Sequence, residues 1–279
     1  VNFTIVTPSF RNSNWLKMCI PSVADQEGVS VEHIVQDSCS DDGTQDWLPY
    51  DNRVQAFIEK DKGMYDAVNR GWRRAKGDIV AYLNCDEQYL PGGLKKVYDH
   101  FHAHPEAEAV FAHTVVVDPQ GNYICHRNSL LPREGHLWWR FPNLTCAIFL
   151  RRSALEKRNL YFDTQWRDIG DFFWVLDMIH KGVHRSVLNF RTSVFYETGD
   201  NMNLKPNAAR EAKIRDSKMP GWVRNSRLLF LMVHRMRMVL NGAFFVSPYH
   251  IEIYTPASPD KRVRQHISKP TPIWAGRQG

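Results

Sequence analysis

The chain has 279 residues, 36 Lys and Arg against 30 Asp and Glu, and 43% apolar side chains. That composition supports a buried core and excludes disordered and collagen-like classes, and no run of about 18 uncharged apolar residues marks a transmembrane helix. The basic surplus is local, with nine Lys/Arg against two Asp/Glu between Lys205 and Arg237, which argues for one anionic contact region and against a general nucleic-acid coat. Five cysteines without a C-x-x-C pair point to reduced thiols and a cytoplasmic location. No charged-then-apolar leader precedes the first strand-like run.

In chain order, residues 3–6 predict a strand, 14–26 a helix and 33–35 a second strand, followed by a turn over 40–43 and a short run over 54–58. Met64, Ala67, Val68, Gly71 and Ala75 share one side of a helix over 64–75. Residues 78–83 form a continuous apolar strand, and Pro91-Gly92 opens another helix. Strands alternating with helices imply βαβ units on a mostly parallel sheet, an α/β fold. Beyond about residue 105 the alternation weakens. Strands are expected over 109–117 and 123–126, around a turn at 118–121, then over 146–150 and 186–196, with a helix over 171–181. From Pro206 the chain reads as basic and helical, and Pro256, Pro259, Pro270 and Pro272 predict a tail without regular structure. These shifts divide the chain into a main domain over 1–204, with halves 1–104 and 105–204, and an extension over 205–279.

In open α/β sheets ligands bind beyond the carboxyl ends of the strands. Four loops qualify, over 7–11, 37–44, 61–69 and 84–88. The strand ending in Asn84-Cys85-Asp86-Glu87 offers hard oxygen ligands for Mg²⁺ or Mn²⁺, with substrate phosphates completing the shell; a solvated turn is the alternative. Neither G-x-x-x-x-G-K-[ST] nor G-x-G-x-x-G occurs, so a backbone phosphate cradle is not signalled.

Taken together, Thr7-Pro8-Ser9-Phe10-Arg11, the turn Asp37 to Thr44, the stretch Asp61-Lys62-Gly63-Met64-Tyr65-Asp66-Ala67-Val68-Asn69-Arg70-Gly71 and Leu83-Asn84-Cys85-Asp86-Glu87 resemble the ordered motifs of family 2 glycosyltransferases, enzymes of the GT-A fold. The resemblance implies that Pro8, Phe10 and Asp37 line a nucleotide base pocket, with Asn69, Asn84 and Cys85 among the donor-binding positions and Asn84 facing the ribose. It implies Asp86 as metal ligand, Glu87 standing where a second Asp is usual, and Lys62 as a positive charge for the diphosphate. Asp168-Ile169-Gly170-Asp171-Phe172-Phe173-Trp174 is similar to the family's base-bearing segment and implies Asp171 as general base, with Asp168 the fallback. Read from the residues alone, Asp168 is also a helix N-cap and Asp171 a first-turn acid, where the helix dipole lowers a carboxylate pKa. Trp138, Trp139, Trp166 and Trp174 suit either sugar stacking or the core.

The implied activity is inverting, metal-dependent transfer from a nucleoside diphosphate sugar, UDP being the commonest base, to a hydroxyl of a surface polysaccharide or lipid-linked glycan. A non-catalytic nucleotide- or glycan-binding descendant is the alternative. A sugar-phosphate nucleotidyltransferase would carry glycines after its first strand, and residues 7–15 contain none. Residues 224–246 combine Arg224, Arg227, Arg235 and Arg237 with a Leu/Met/Phe-rich run, which predicts either an interfacial helix giving peripheral membrane contact or a core or dimer helix.

Overall fold

β1 (Phe3–Ser9) is buried along its whole length, as a central strand covered on both faces must be. Its side chains alternate: Phe3 and Ile5 enter one core with Cys19, Leu94 and Phe149, while Val6 enters the other with Val68, Trp72 and Trp174. The computed structural model describes residues 1–141, 143–199 and 206–274. After β1 come α1 (Ser13–Ala24), β2 (Val31–Asp37), α2 (Thr44–Trp47), β3 (Gln55–Ile58), α3 (Met64–Arg74), β4 (Ile79–Tyr82), β5 (Glu87–Tyr89) and α4 (Gly93–Ala103). Then follow β6 (Ala109–Val117), β7 (Tyr123–Arg127), α5 (Glu134–Trp139), β8 (Ile148–Arg151), α6 (Arg152–Lys157), α7 (Gly170–His180) and β9 (Arg185–Tyr196). The last part holds α8 (Pro206–Ser217), α9 (Gly221–Asn225), α10 (Arg227–Leu240), β10 (Tyr249–Thr255) and β11 (Ser258–Ile267).

Among the described residues the main sheet has nine strands in the order β3-β2-β1-β4-β8-β6-β9-β5, with β7 beside β6. The quartet β3-β2-β1-β4 is parallel, so its carboxyl ends share one edge. β8 runs antiparallel to β4 and β6, while β6 and β9 pair in parallel. The α/β fold with helices on a central sheet expected from the first half is the one observed. α3 lies close on β1 because Gly71 has no side chain: a Cβ there would meet the Val6 methyls at 2.4 Å.

Two expectations fail. The tail is not irregular throughout: β10 and β11 form an antiparallel hairpin with Pro256 in its turn and Pro259 at the hairpin end, outside the regular ladder, while Pro270 and Pro272 follow it without regular structure as expected. Ile251, Ile253 and Ile267 pack with Val115, Val117 and Tyr196 of the main sheet. Arg262 and Tyr254 both reach the Asp25 carboxylate after α1, at 2.6 and 2.9 Å. The extension is thereby knitted into the main body. Secondly, Glu87 is no loop residue: it opens β5, a three-residue strand paired with β9. Three tryptophans, Trp138, Trp166 and Trp174, are core residues, and Trp139 is half-buried with its indole N–H on the Val223 carbonyl. No described helix is long and apolar enough to cross a membrane.

Candidate active site at the carboxyl edge

The loops after β1 and β2 brace each other. The Arg11 backbone N–H donates to Ser40 Oγ at 2.8 Å and that of Ser13 to Asp42 at 2.9 Å. Arg11 and Cys39 hold φ of 54° and 58°, two of the three described non-glycine residues at positive φ. Backbone conformations of this kind persist where the surroundings enforce them and concentrate at functional sites. Phe10 projects from this loop half-exposed, the Arg11 guanidinium 5.1 Å from its ring centre. Pro8 is buried at the end of β1.

Asp37, expected to face a base or to form the turn, is 0% exposed. Its Oδ2 accepts from the Ser9 and Ser40 hydroxyls and its Oδ1 from the Ser40 N–H, all within 2.8 Å. It builds the turn that joins the two loops, and only Oδ1 keeps a lone pair in reserve. Cys85 lies in the core under the site, its thiol donating to the Pro8 carbonyl at 3.2 Å. Asn69 spends its amide on the backbone of Phe162, giving to its carbonyl and accepting from its N–H at 2.8 Å. Each of these two side chains closes a buried backbone contact.

The stretch 61–71 is largely a bracket. The Asp61 carboxylate accepts from Gly63 N–H, and Asp66 accepts from Lys62 N–H and pairs with Arg70 at 2.9 Å. Tyr65 is buried against Phe162, ring centres 4.6 Å apart, and its hydroxyl accepts the Asp171 backbone N–H at 3.1 Å. Gly170 makes this approach possible: a Cβ there would lie 2.6 Å from the Tyr65 ring. Lys62 remains exposed at the rim of a narrow cleft that Tyr65, Asp66, Thr164, Trp166 and Arg167 complete. A wider cleft beside Asp78, Arg151, Arg152 and Glu156 sits at the opposite, amino end of β4, away from every motif.

Asn84 and Asp86 are half-buried just beyond β4. Burial pushes the Asp86 carboxyl up to about 6. Burial and the neighbouring Asp86 charge push Glu87 up to about 8, which favours its protonated form. Glu87 Oε2 accepts the Asn84 N–H at 2.8 Å, while its buried Oε1 has no hydrogen-bond partner. Among the described residues no group of three or more His, Cys, Asp or Glu side chains converges. A cation at Asp86 would therefore complete its shell with substrate phosphate and water, the mode of Mg²⁺ sites built on one or two carboxylates. The donor set fits that mode, with Asp86 the stronger candidate.

Asp171 occupies the first turn of α7, where its Oδ1 accepts the Phe172 N–H at 2.8 Å. The helix N-terminus was expected to lower its pKa; burial outweighs these N–H groups and raises the carboxyl to about 6. Asp168 is not the N-cap, which is Ile169 and carries no side-chain capping bond. Its carboxylate accepts from the Asn207 amide instead, at 2.7 Å.

Across the fold, a family model for Glycosyl transferase family 2 matches residues 4–167. The chain belongs to glycosyl transferase family 2. It is similar to TuaG of Bacillus subtilis, named for teichuronic acid biosynthesis, at 33% identity over 98 residues, covering 33% of this chain and 39% of TuaG. The chain thus spans well under two thirds of that relative. Among solved structures it resembles Staphylococcus aureus TarS 1–349 in complex with UDP-GlcNAc, at 16% identity and TM-score 0.59 over 87% of this chain and 75% of TarS. It also resembles the mannosyltransferase PcManGT of Pyrobaculum calidifontis, in complex with GDP-Man and Mn²⁺, at 19% identity and TM-score 0.55 over 88% and 76%. At those identities the structures establish the fold.

Sequence reasoning missed the residues that mount Asp171 in this family 2 chain. Glu211 of α8 is buried and accepts the backbone N–H groups of Arg167, Asp168 and Ile169 at 2.9–3.2 Å. Burial alone would raise its pKa, but these N–H groups and the Asn207 amide hold it below the usual carboxylate value. α8 also sends Arg215 over the Phe172 ring, where its charge favours ionised Asp171. The match over 4–167 stops short of Asp171, Glu211 and Arg215. Tyr65 stood inside a recognised motif; Glu211 gave no sequence signal, being one acid in a basic stretch.

Proposed function

We propose that the chain transfers a sugar from a nucleoside diphosphate sugar to an acceptor hydroxyl with inversion at the anomeric carbon. The observation that carries this is Asp171, a carboxyl on a rigid helix start whose pKa of about 6 suits a base near neutral pH. The acceptor hydroxyl gives its proton to Asp171, its oxygen bonds to the anomeric carbon, and the bond to the leaving diphosphate breaks on the opposite face. Asp86 would hold a divalent cation that neutralises the departing diphosphate, and Lys62 supplies a further positive charge. Phe10 stacks on the base and Asn84 faces the ribose, while Asp37 shapes the base side of the pocket from beneath through its bonds to Ser9 and Ser40. Family membership and the fold shared with UDP-GlcNAc- and GDP-Man-bound enzymes support the donor class, with UDP preferred. The proposed acceptor is a surface polysaccharide or lipid-linked glycan at the cytoplasmic face of the membrane; similarity to TuaG, named for teichuronic acid biosynthesis, supports the polysaccharide part of that reading.

The test is calorimetry with UDP, GDP, dTDP and CDP, each with and without Mn²⁺. One nucleotide should bind, and bind more tightly with Mn²⁺. Absence of binding by every nucleotide to folded protein would transfer support to a non-catalytic descendant.

Glu211→Ala should destabilise the fold by about 3 kcal/mol, since it removes a charged acceptor from three backbone donors. It should lower kcat with little change in KM for the donor. Thermal unfolding and steady-state kinetics read both; unchanged kcat would show that α8 does not position the base.

A further inference from the structure

α10 has its faces reversed relative to a helix packed on a water-soluble body. Its inward side carries Phe230 against Gly135 and His136 of α5, a buried His234, and Arg237, which donates to the Leu131 carbonyl at 2.6 Å. Its outward side carries Leu228, Leu229, Met232, Met236, Val239 and Leu240, all exposed, Leu228 at 76% and Leu240 at 78%. At 100° per residue these six, with Arg235, fall within a sector of about 140°. The apolar surface continues past the helix through Phe244 and Phe245, the latter 78% exposed, and is joined by exposed Trp222 of α9, whose ring lies 5.8 Å from Phe230. An apolar face this continuous is a contact surface, because scattered exposed side chains do not align along four helical turns.

Charge decides what covers it. Between Asp216 and Glu252 the sequence has no acidic residue, while Lys218, Arg224, Arg227 and Arg235 are exposed. A two-fold dimer through this face would set Arg235 near its own copy with no carboxylate to neutralise it. An anionic bilayer surface answers both features, accepting Leu, Met and Phe among its acyl chains and arginines at its phosphates.

We propose that the outward face of α10, with Trp222, Phe244 and Phe245, lies in the plane of an anionic lipid headgroup layer. The helix is about 21 Å long, enough to lie along the surface and too short to span it. α10 rests on α5, and Trp138 of α5 packs on Phe172 of α7 at 4.9 Å, so docking holds the helix that carries Asp171 one layer from the lipid. This surface stands on its own geometry and does not depend on the donor or the reaction.

The test is co-sedimentation of the 279-residue chain with vesicles of phosphatidylcholine alone and of equal parts phosphatidylcholine and phosphatidylglycerol. The protein should pellet with the anionic vesicles and much less with the neutral ones. Combined Leu229→Glu and Met236→Glu, both at exposed positions, should cut partitioning at least about tenfold with an unchanged melting temperature. Arg235→Gln should cost about fivefold on anionic vesicles only. Failure of the unaltered chain to pellet with anionic vesicles overturns the proposal. So does light scattering showing a dimer that the double Glu variant converts to monomer. Nucleotide binding measured alongside separates the two readings: its loss with intact pelleting would count against the donor site alone.

Discussion

Replacing Asp171 by Asn is expected to lower kcat by about 10²–10⁴-fold, the usual contribution of a positioned general base. Asn keeps the shape of the side chain and can still accept the Phe172 N–H, so the loss reports proton acceptance and not collapse of the helix start. In the unaltered chain kcat should be full above pH about 6 and fall tenfold per unit below it, as Asp171 takes up a proton. Arg215→Met should move this limb upward, because Arg215 favours the ionised form. Stability should run the other way. The folded carboxyl binds its proton more tightly than the unfolded one, so ionisation costs the native state nothing below the unfolded pKa near 4 and its full amount above about 6. Asp171→Asn, which never ionises, should therefore be more stable than the parent at pH 8 by about 1–3 kcal/mol, the lower part of that range reflecting partial solvent access. The advantage should vanish as pH falls toward 4. A variant that is inactive and also less stable at pH 8 would assign Asp171 a structural role.

Asp86→Ala should abolish Mn²⁺-dependent nucleotide binding and reduce transfer by about 10³-fold or more, since a diphosphate leaving group without its cation builds up uncompensated charge. Paired titrations separate the contributions. Mn²⁺ should tighten UDP binding to the parent and leave the variant unaffected, while chelation should bring the parent down to the variant. Glu87→Gln is the informative partner. If Glu87 acts as a buried, protonated member of β5, Gln should preserve the Asn84 N–H contact and most activity. A loss as deep as that of Asp86→Ala would make Glu87 a ligand.

The fold class was legible because β1 and β4 announce themselves as apolar runs and α3 as a helical stripe. What sequence spacing did not separate was ligand-facing from scaffold residues within one motif. Asp61, Asp66 and Asn69 sit in the most diagnostic stretch, yet they cap, pair and clamp the backbone around it. Tyr65, a residue easily taken as core, holds the backbone of Asp171 across 106 positions of sequence. The β10–β11 hairpin was hidden for a related reason. Proline argues against strand locally, but at a hairpin end its missing N–H removes no regular ladder bond.

The sequence by itself determined the α/β architecture, the four strand-end loops with Asp86 in the last of them, and the presence of Asp171 at the start of a helix. These follow from periodicity and from motifs short enough to be local. Tertiary structure alone decided the electrostatic state of those carboxyls, the mounting of Asp171 by Glu211 and Tyr65, and the outward turn of the apolar face of α10. Burial and long-range hydrogen bonds set these, and both depend on which distant segments pack together. The helix-start dipole read from sequence predicts a lowered Asp171 pKa, and the desolvation that reverses it exists only once α3, α7 and α8 have met.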